Sequence, residues 1–192
     1  KVLISDIKKP KKIDKNLNNK NIVLEFGKHS NKCLNADLII VSPGVNIDKI
    51  DILKHIDSNG IPIVGEIEFA SWFTKSPIIA VTGSNGKSTV VELLHAIFKK
   101  NSVNVLLGGN IGKSLSENII FEKNNNISDL HIVEVSSFQL ENIFTFKPQV
   151  SCIINITEDH MDRYDDIQDY IKAKLNITKN HDKKTFIVFN DD

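Results

Sequence analysis

The stretch IIAVTGSNGKSTVVELLHAIFKK, residues 78–100, joins a short apolar run to a longer segment of helical period. The apolar run Ile78–Thr82 is rich in Ile and Val and predicts a buried strand. The apolar residues of Lys87–Lys100 recur at helical spacing, which predicts an amphipathic helix. A turn of small and polar residues separates the two, so the stretch predicts one strand–turn–helix unit.

The same alternation of apolar runs and helical segments continues along the chain. It is typical of βαβ units with a mainly parallel sheet, and we predict an α/β fold. The other predicted strands are Lys1–Ser5, Ile22–Phe26, Leu38–Ser42, Ile61–Val64, Val103–Leu107, His131–Val135, Ser151–Ile156 and Thr185–Phe189. The other predicted helices are Asp48–Ser58, Glu66–Thr74, Gly112–Ile120 and Ile167–Asn180.

The turn at residues 82–89, TGSNGKST, has the composition of a phosphate-binding loop. Gly83 and Gly86 permit backbone conformations in which successive amides converge on phosphate oxygens at a helix N-terminus. Lys87 adds a positive charge there, and the Ser88 hydroxyl is a magnesium ligand in such loops. Val81 stands where the usual pattern has its first glycine, so a shortened loop is expected. The alternative is a plain strand-to-helix turn, which glycine also favours.

Two further polar side chains follow predicted strands. Glu134 lies near the end of one apolar run, and His160 follows another. The carboxyl ends of parallel strands meet at one edge, so we expect both residues near the phosphate turn, where Glu134 would bind Mg²⁺ and His160 would meet a metal or phosphate. The residues alone leave open a glutamate at a fraying strand end and a hydrogen-bonded loop histidine.

Lys174 lies on the face of a predicted helix that Ile167 and Ile171 make apolar. Burial on this face would lower the pKa of its amine. A neutral amine can react with carbon dioxide to give a carbamate, which is an anionic metal ligand. The alternative is a lysine that extends its stem to water.

Composition bounds the class of protein. The chain has 192 residues, of which 41% are hydrophobic and 25% charged, as in folded globular proteins. Its 24 basic and 24 acidic residues cancel, which argues against a nucleic-acid partner and against a membrane partner. The two cysteines lie far apart, and no apolar run approaches the roughly 18 residues that span a bilayer. We therefore expect a cytoplasmic protein.

The chain divides at Lys75-Ser76-Pro77, because proline disfavours helix in the residue before it and the flanking residues are polar. We predict an N-terminal domain at residues 1–76 and a central domain at residues 77–192. The Lys- and Asn-rich tract Lys8–Lys20 predicts a solvated loop without a function. Predicted strands lie against both termini, so we expect a chain truncated at both ends.

Five motifs together resemble those of the Mur ligases, the ATP-dependent enzymes of cell-wall precursor synthesis. They are TGSNGKST at 82–89, GGNIG at 108–112, EVSSFQLE at 134–141, NITEDHMDRY at 155–164 and AKL at 173–175. The segments SPGV at 42–45 and GIPIVGEIE at 60–68 extend the resemblance into the first half. It implies a partial Rossmann-like N-terminal domain that binds a UDP substrate, followed by a central domain of the P-loop ATPase type with a mainly parallel sheet.

The resemblance also implies roles for single residues. The ATP phosphates would be bound by Gly83, Ser84, Asn85, Gly86, Lys87, Ser88 and Thr89. One Mg²⁺ would be held by Ser88 and Glu134, and a second Mg²⁺ by His160 and carbamylated Lys174. The UDP-muramoyl substrate would contact Ser42, Pro43, Gly44, Asn110 and Ser136. The implied catalytic residues are Lys87, His160 and Lys174.

The run that begins at Ser136 resembles the family members that join D-glutamate to UDP-N-acetylmuramoyl-L-alanine. In the implied reaction the alanyl carboxylate attacks the γ-phosphate of ATP, and the amine of D-glutamate then displaces phosphate from the acyl phosphate. Two alternatives stay open: another Mur or folylpolyglutamate-type ligase, and a nucleotide-binding fragment without turnover. We expect a monomer. We also expect no amide formation by this piece alone, because the family's D-glutamate-binding C-terminal domain is absent from it.

Overall fold

The computed structural model describes residues 1–54, 60–159 and 161–190. The strands in these residues are β1 (Val2–Asp6), β2 (Ile22–Phe26), β3 (Ile39–Val41), β4 (Ile63–Gly65), β5 (Ile78–Thr82), β6 (Val105–Gly109), β7 (Leu130–Glu134), β8 (Val150–Ile153) and β9 (Phe186–Phe189). The helices are α1 (Asp51–Lys54), α2 (Glu66–Ser71), α3 (Lys87–Lys100), α4 (Leu115–Asn125), α5 (Ser137–Leu140) and α6 (Ile167–Leu175). The predicted α/β class is confirmed.

The first of two compact units consists of residues 1–39 and 45–63. Its strands β1 and β2 pair in parallel, starting with Val2 opposite Ile22. A parallel pair at the start of the chain agrees with the predicted partial Rossmann-like domain. Further along, β3 and β4 form a separate two-stranded sheet.

The second compact unit consists of residues 40–44 and 64–192 and contains a five-stranded sheet in the order β6-β7-β5-β8-β9. All its neighbouring strands run parallel. The strand β5 is central, with Val81 opposite Glu134 of β7 and Thr82 opposite Ile153 of β8. The residues that follow β5, β7 and β8 therefore emerge side by side at one edge of the sheet.

Helices cover both faces of this sheet. Alternate residues of β5 point to opposite faces, so Ile78 and Ala80 pack with α2 and α4, whereas Val81 packs with Val91 of α3. The apolar residues of both faces are largely buried. This layering holds β5 and the start of α3 between two packed cores, which gives the loop between them a rigid support.

The helix α3 has the bounds that the sequence predicts. Gly86 precedes it with a φ of +83°, a left-handed conformation that favours glycine. Lys99 and Lys100 lie in its last turn, where positive charge is favourable. The strong signals at both ends explain why this prediction is correct in both bounds.

Other elements differ from prediction at their ends. The helix α4 begins at Leu115 instead of Gly112, because Ser114 and Glu117 form a reciprocal capping box that starts the helix there. The strand β8 ends at Ile153 instead of Ile156, because the following residues turn toward the loop after β5, where Asn155 O accepts from Ser84 N at 3.0 Å.

Two predicted helices are also shorter in the structure. The predicted helix Ile167–Asn180 ends at Leu175 and continues as a 3₁₀ turn over Asn176–Thr178. The predicted helix Glu66–Thr74 ends at Ser71. A third predicted helix, Asp48–Ser58, is helical over Asp51–Lys54, and its residues 55–58 lie outside the described part of the chain.

The compact units do not divide at the predicted boundary, Lys75-Ser76-Pro77. Residues 64–76 belong to the second unit, because α2 packs against α4 within the core of that unit. The assignment of residues 1–76 and 77–192 to separate functional domains stays a prediction. Within the part of the chain that the structure describes, none of the helices has the length and apolar character needed to cross a membrane.

Candidate active site

The loop after β5 lies between the sheet and the N-terminus of α3. A Cβ atom on Gly83 would stand 3.2 Å from Cβ of Ile154 and 3.3 Å from the carbonyl oxygen of Asn155, so close packing favours glycine there. Gly86 gives the loop its left-handed turn into the helix. The first amides of a helix have no intrahelical acceptor, so this 14-residue helix presents free N–H donors beside the loop.

The Asn155 side chain holds the loop in place. Its Oδ1 accepts hydrogen bonds from the backbone N–H groups of Ser84 at 3.1 Å and Asn85 at 2.9 Å, and its Nδ2 donates to Asn85 O at 3.1 Å. The amides of Ser84 and Asn85 are thus used within the protein. The amides oriented for a phosphate are those of the first turn of α3.

The Ser84 side chain also faces the protein. Its Oγ lies 3.1 Å from the Tyr170 hydroxyl, donates to Thr157 O at 2.9 Å, and accepts from Thr157 N at 2.9 Å. Ser84 is buried. Its hydroxyl therefore fixes the loop to the chain after β8, and the contact of Ser84 with ATP stays a prediction.

Lys87, the first residue of α3, turns back into the loop. Its ammonium donates to Gly83 O and to Ser84 O, both at 2.9 Å. These bonds place a positive charge over the loop at the helix N-terminus, where both the charge and the helix dipole attract an anion. A phosphate bound there would compete with the two carbonyl oxygens for the ammonium.

Glu134 ends β7 directly beside the start of α3, and its carboxylate is 2% exposed. Ser88 Oγ donates to Glu134 Oε2 at 2.7 Å, and Asn110 Nδ2 donates to Glu134 Oε1 at 2.9 Å. The structure thus brings together three residues that the sequence placed in the site. Their predicted roles, Ser88 and Glu134 as magnesium ligands and Asn110 as a substrate contact, stay predictions.

Asn110 follows β6, where the chain passes very close to β7. Gly109 has a φ of +102°, and a Cβ atom there would lie 2.3 Å from the carbonyl oxygen of Glu134. The backbone N–H of Asn110 donates to the same oxygen at 2.8 Å. A glycine is therefore required before Asn110. The close approach holds the side-chain amide of Asn110 against the Glu134 carboxylate.

Lys174 of α6 contacts the same loop, although it lies 91 residues after Gly83 in the sequence. It is 1% exposed, its ammonium donates to Gly83 O at 2.7 Å, and it lies 4.6 Å from the centre of the Tyr170 ring. Burial, and then the charge of Lys87, lower the pKa of Lys174 to about 8, although Asp159 opposes the shift. The alternative in which Lys174 extends to water is wrong.

The inward face of α6 differs slightly from the predicted one. The buried residues are Tyr170, Ala173 and Lys174, while Ile167 and Ile171 are only half-buried. Lys174 is nevertheless inward, as predicted. The contribution of Tyr170 was not predicted, although its position four residues before Lys174 places both on one face of the helix.

The remaining predicted site residues lie at loop and helix ends. Ser136 caps α5, accepting from Gln139 N at 3.4 Å through its hydroxyl. Ser42 follows β3 and is exposed, and Pro43 and Gly44 form a turn. Among the described residues, no hydrogen bond or ion pair joins Ser42, Pro43 or Gly44 to the phosphate loop. His160 lies outside the described residues, so its predicted role stays a prediction.

The donor atoms beside the loop suit a hard cation. Outside residues 55–59, 160 and 191–192, the chain has no group of three or more His, Cys, Asp and Glu side chains that could hold a metal ion. Magnesium does not need such a group, because it is usually bound by one or two carboxylates together with phosphate oxygens and water. Glu134 and the Ser88 hydroxyl fit this kind of site.

Comparison with protein-family models identifies the chain. A model described as the Mur ligase middle domain matches residues 81–192, which is more than half of the sequence. The chain belongs to the Mur ligase family. A second model, described as the MurD N-terminal domain, matches residues 1–49. The middle-domain match contains the phosphate loop, Glu134 and Lys174.

Two curated relatives of this chain have the same name. The UDP-N-acetylmuramoylalanine--D-glutamate ligase of Bacteroides fragilis is 44% identical over 174 residues, which are 89% of this chain and 38% of the relative. The enzyme of the same name from Geotalea daltonii is 41% identical over 196 residues, covering 100% of this chain and 42% of the relative. The chain thus spans about two fifths of the length of these relatives.

A solved structure has the same fold. It is described as UDP-N-acetylmuramate:L-alanyl-gamma-D-glutamyl-meso-diaminopimelate ligase from Neisseria meningitides. The match covers 98% of this chain and 63% of that one, with a TM-score of 0.60 and 15% sequence identity. At this identity the likeness shows a shared fold, and it agrees with the predicted order of a partial Rossmann-like domain and a P-loop ATPase-type domain.

Proposed function

We propose that the complete protein joins D-glutamate to UDP-N-acetylmuramoyl-L-alanine with ATP, as a cytoplasmic monomer. One observation carries the proposal. Lys87 and Lys174, which are far apart in sequence, both donate to Gly83 O, and Ser88 beside them donates to Glu134. The MurD N-terminal match and the name shared by the relatives support D-glutamate as the added amino acid.

ATP would bind with its terminal phosphates at the N-terminus of α3. The first-turn amides of Lys87, Ser88 and Thr89 and the left-handed turn at Gly86 supply donors there. The Lys87 ammonium would exchange its two carbonyl acceptors for phosphate oxygens. Both acceptors belong to the phosphate loop itself, so the ammonium already lies beside the proposed phosphate site.

A first Mg²⁺ would be held by Ser88 and Glu134. The carboxylate oxygen Oε2 that now accepts from Ser88 would become available to the cation, while Asn110 retains Oε1. Bound there, Mg²⁺ would neutralise negative charge on the phosphates. The chain's own contribution is to hold Glu134 in a buried position between two donors, so that its oxygens are already oriented.

A second Mg²⁺ would be held by His160 and carbamylated Lys174. The Lys174 amine is buried, and its pKa of about 8 leaves roughly a tenth of it neutral at pH 7, far more than for an ordinary lysine. A neutral amine is the form that attacks carbon dioxide, with loss of one proton to solvent. The Tyr170 ring beside the amine shields it from water.

The substrate carboxylate would reach the phosphates from the side of Asn110 and Ser136, with Ser42, Pro43 and Gly44 contacting the rest of the UDP-muramoyl substrate. The alanyl carboxylate attacks the γ-phosphate, ADP leaves, and an acyl phosphate forms. The amine of D-glutamate then attacks the acyl carbon, phosphate leaves, and an amide forms. Positioning and charge neutralisation account for most of the catalysis in such a transfer, so no enzyme nucleophile is needed.

Phosphate release by the complete protein tests the proposal. We expect release that requires ATP, UDP-N-acetylmuramoyl-L-alanine and D-glutamate together, with an amide product detected by mass spectrometry. Stimulation by another amino acid instead would indicate a different ligase of the family. Nucleotide binding without phosphate release would indicate a non-catalytic protein and contradict the proposal. Sedimentation of the same sample checks the monomer.

Replacing Lys174 with alanine tests the carbamate separately. We expect activity to fall and short carboxylic acids to restore part of it, because they supply the missing anionic ligand. Full activity of Lys174→Ala without any added acid would remove Lys174 from the site.

A further inference from the structure

Glu141 follows α5 and binds two residues of the chain between β8 and α6. Arg163 donates to Glu141 Oε2 at 2.6 Å, and the Tyr164 hydroxyl donates to Glu141 Oε1 at 2.7 Å. The Arg163 guanidinium also lies 4.3 Å from the centre of the Phe138 ring of α5. Both carboxylate oxygens of Glu141 are therefore used to hold one short segment against α5.

Aromatic rings continue this contact toward the phosphate loop. The Tyr164 ring stacks on Phe138, with centroids 5.9 Å apart and planes 18° apart, and lies 5.3 Å from the Tyr170 ring. Tyr170 in turn lies over the Lys174 ammonium at 4.6 Å and meets Ser84 Oγ at 3.1 Å. A continuous series of contacts thus joins Glu141 to Lys174 and to the phosphate loop.

The first contact in the series is strong for a site near the surface. The side chains of Arg163 and Glu141 are 14% and 26% exposed, so solvent screens their charges only in part. Charge-assisted bonds of this length are about twice as strong as neutral ones. Burial, with the charge of Glu141, raises the pKa of Tyr164, so its phenol stays a donor to Glu141 at neutral pH.

We infer that Glu141 is a positioning residue: through Tyr164 and Tyr170 it fixes the side chain of Lys174 beside the phosphate loop. Glu141 itself contacts neither Lys174 nor the loop. Its carboxylate orients Tyr164, whose ring supports Tyr170, and Tyr170 contacts both. The inference rests on the proposed function, because it assigns to Lys174 a place in the metal-binding site.

The test compares Glu141→Gln and Tyr164→Phe in the complete protein. Glu141→Gln keeps the size of the side chain and removes its charge, whereas Tyr164→Phe keeps the ring and removes only the hydroxyl. Asp169→Asn is the matched control, because it removes an exposed ion pair with Lys172 on the outer face of the helix that carries Lys174. Each variant is measured for Mn²⁺ affinity by electron paramagnetic resonance with ADP present, for Tm, and for kcat and KM of ATP.

We expect Glu141→Gln to weaken the binding of one Mn²⁺ by at most about tenfold, because Glu141 acts through two tyrosines and loss of a direct partner of a metal ligand costs about tenfold or more. The kcat should fall by a similar factor, while the KM of ATP stays close to that of Asp169→Asn. The loss of Mn²⁺ affinity should persist at temperatures well below the Tm of the variant. Tyr164→Phe should also weaken Mn²⁺ binding. The double variant should lose no more Mn²⁺ affinity than Glu141→Gln alone, because both substitutions affect the same hydrogen bond between Tyr164 and Glu141.

Three outcomes would overturn the inference. The first is unchanged Mn²⁺ affinity in both variants, the second is a loss that only follows a lower Tm, and the third is an unmodified protein that binds no Mn²⁺ with ADP present. If the unmodified protein binds Mn²⁺ but forms no amide with D-glutamate, the proposed function fails. The Mn²⁺ measurements then still decide the role of Glu141.

Discussion

The five-stranded sheet has a largely buried carboxylate at each end, and the two differ in their partners. At the carboxyl end, Glu134 accepts hydrogen bonds from Ser88 and Asn110. Both donors are neutral, and the residue before Ser88 is Lys87, at the N-terminus of α3. The carboxylate therefore lies beside a helix end that favours anions, where a cation could join it to a bound phosphate.

At the amino end, Glu122 of α4 has different surroundings. It accepts from Thr74 Oγ1 at 2.8 Å and from Ser76 Oγ at 3.0 Å, and its Oε2 lies 2.8 Å from His131 Nε2. His131 is fully buried at the start of β7. These bonds connect the segment before β5 to α4 and β7, so Glu122 stabilises the packing of the unit.

The comparison shows that burial alone does not indicate a catalytic carboxylate. Glu134 and Glu122 are both hydrogen-bonded in the same α/β unit. They differ in which strand ends they adjoin, because only the carboxyl ends present a glycine-rich loop and the N-terminus of α3. We therefore expect substitutions at the carboxyl end to affect turnover and substitutions at the amino end to affect stability.

The largest expected effect is that of Lys87→Met in the complete protein. The variant keeps an unbranched side chain of similar length and removes the charge, so kcat/KM for D-glutamate-dependent phosphate release should fall about 1,000-fold. The Tm should change little, because Lys87 is only half-buried and the loop is still held by Asn155 and by the Ser84 hydroxyl. Retained activity would place the phosphates elsewhere.

The next effect sharpens the contrast between the two carboxylates. Glu134→Gln should lower kcat about 100-fold, because the amide cannot act as an anionic magnesium ligand. Glu122→Gln, the matched change at the other end of the sheet, should leave kcat within about twofold. Equal losses of kcat in the two variants would contradict the division of roles.

Unfolding should show the reverse order. Glu122→Gln replaces one carboxylate oxygen with an amide donor and removes the negative charge beside a buried imidazole, so the free energy of unfolding should fall by about 2 kcal/mol. Glu134→Gln should change it by less than half as much. Urea unfolding of both variants at pH 7 provides the measurement.

The acid dependence of stability gives a smaller effect with a definite sign. Burial raises the pKa of Glu122, but the hydrogen bonds from His131, Thr74 and Ser76 lower it by a larger amount. The pKa of Glu122 therefore lies below 4.5. A lowered folded-state pKa stabilises the protein above pH 4.5, and this stability is lost as the pH falls through the lower folded value. Between pH 6 and pH 3, the free energy of unfolding of Glu122→Gln should therefore fall less steeply with decreasing pH than that of the unmodified protein.

The part of the fold that lies around the phosphate loop could be read from the sequence. Residues 78–100 combine a β-branched run, two glycines and a helix with clear signals at both ends, so β5 and α3 have the predicted bounds. The helix α5 was not predicted, because its four residues are too few to show a period, and its capping box at Ser136 and Gln139 is the only local signal.

The site residues divide in the same way. Lys87, Ser88 and Glu134 could be placed because loop and strand ends in a parallel sheet meet at one edge. Asn155 and Tyr170 could not be placed, because their roles depend on contacts across about 70 and 86 residues of sequence. The role of Glu141 could not be placed from the sequence either, because its partners lie on a segment that contacts α5 only in the folded chain.

A structure of the complete protein with ADP and Mg²⁺ would show whether the loop after β5 binds the nucleotide. We expect the β-phosphate on the first-turn amides of α3, the Lys87 ammonium moved from Gly83 O and Ser84 O onto phosphate oxygens, and the cation bound by Ser88 and Glu134. A nucleotide bound away from this loop, with Lys87 still on the two carbonyl oxygens, would contradict the proposed ATP site.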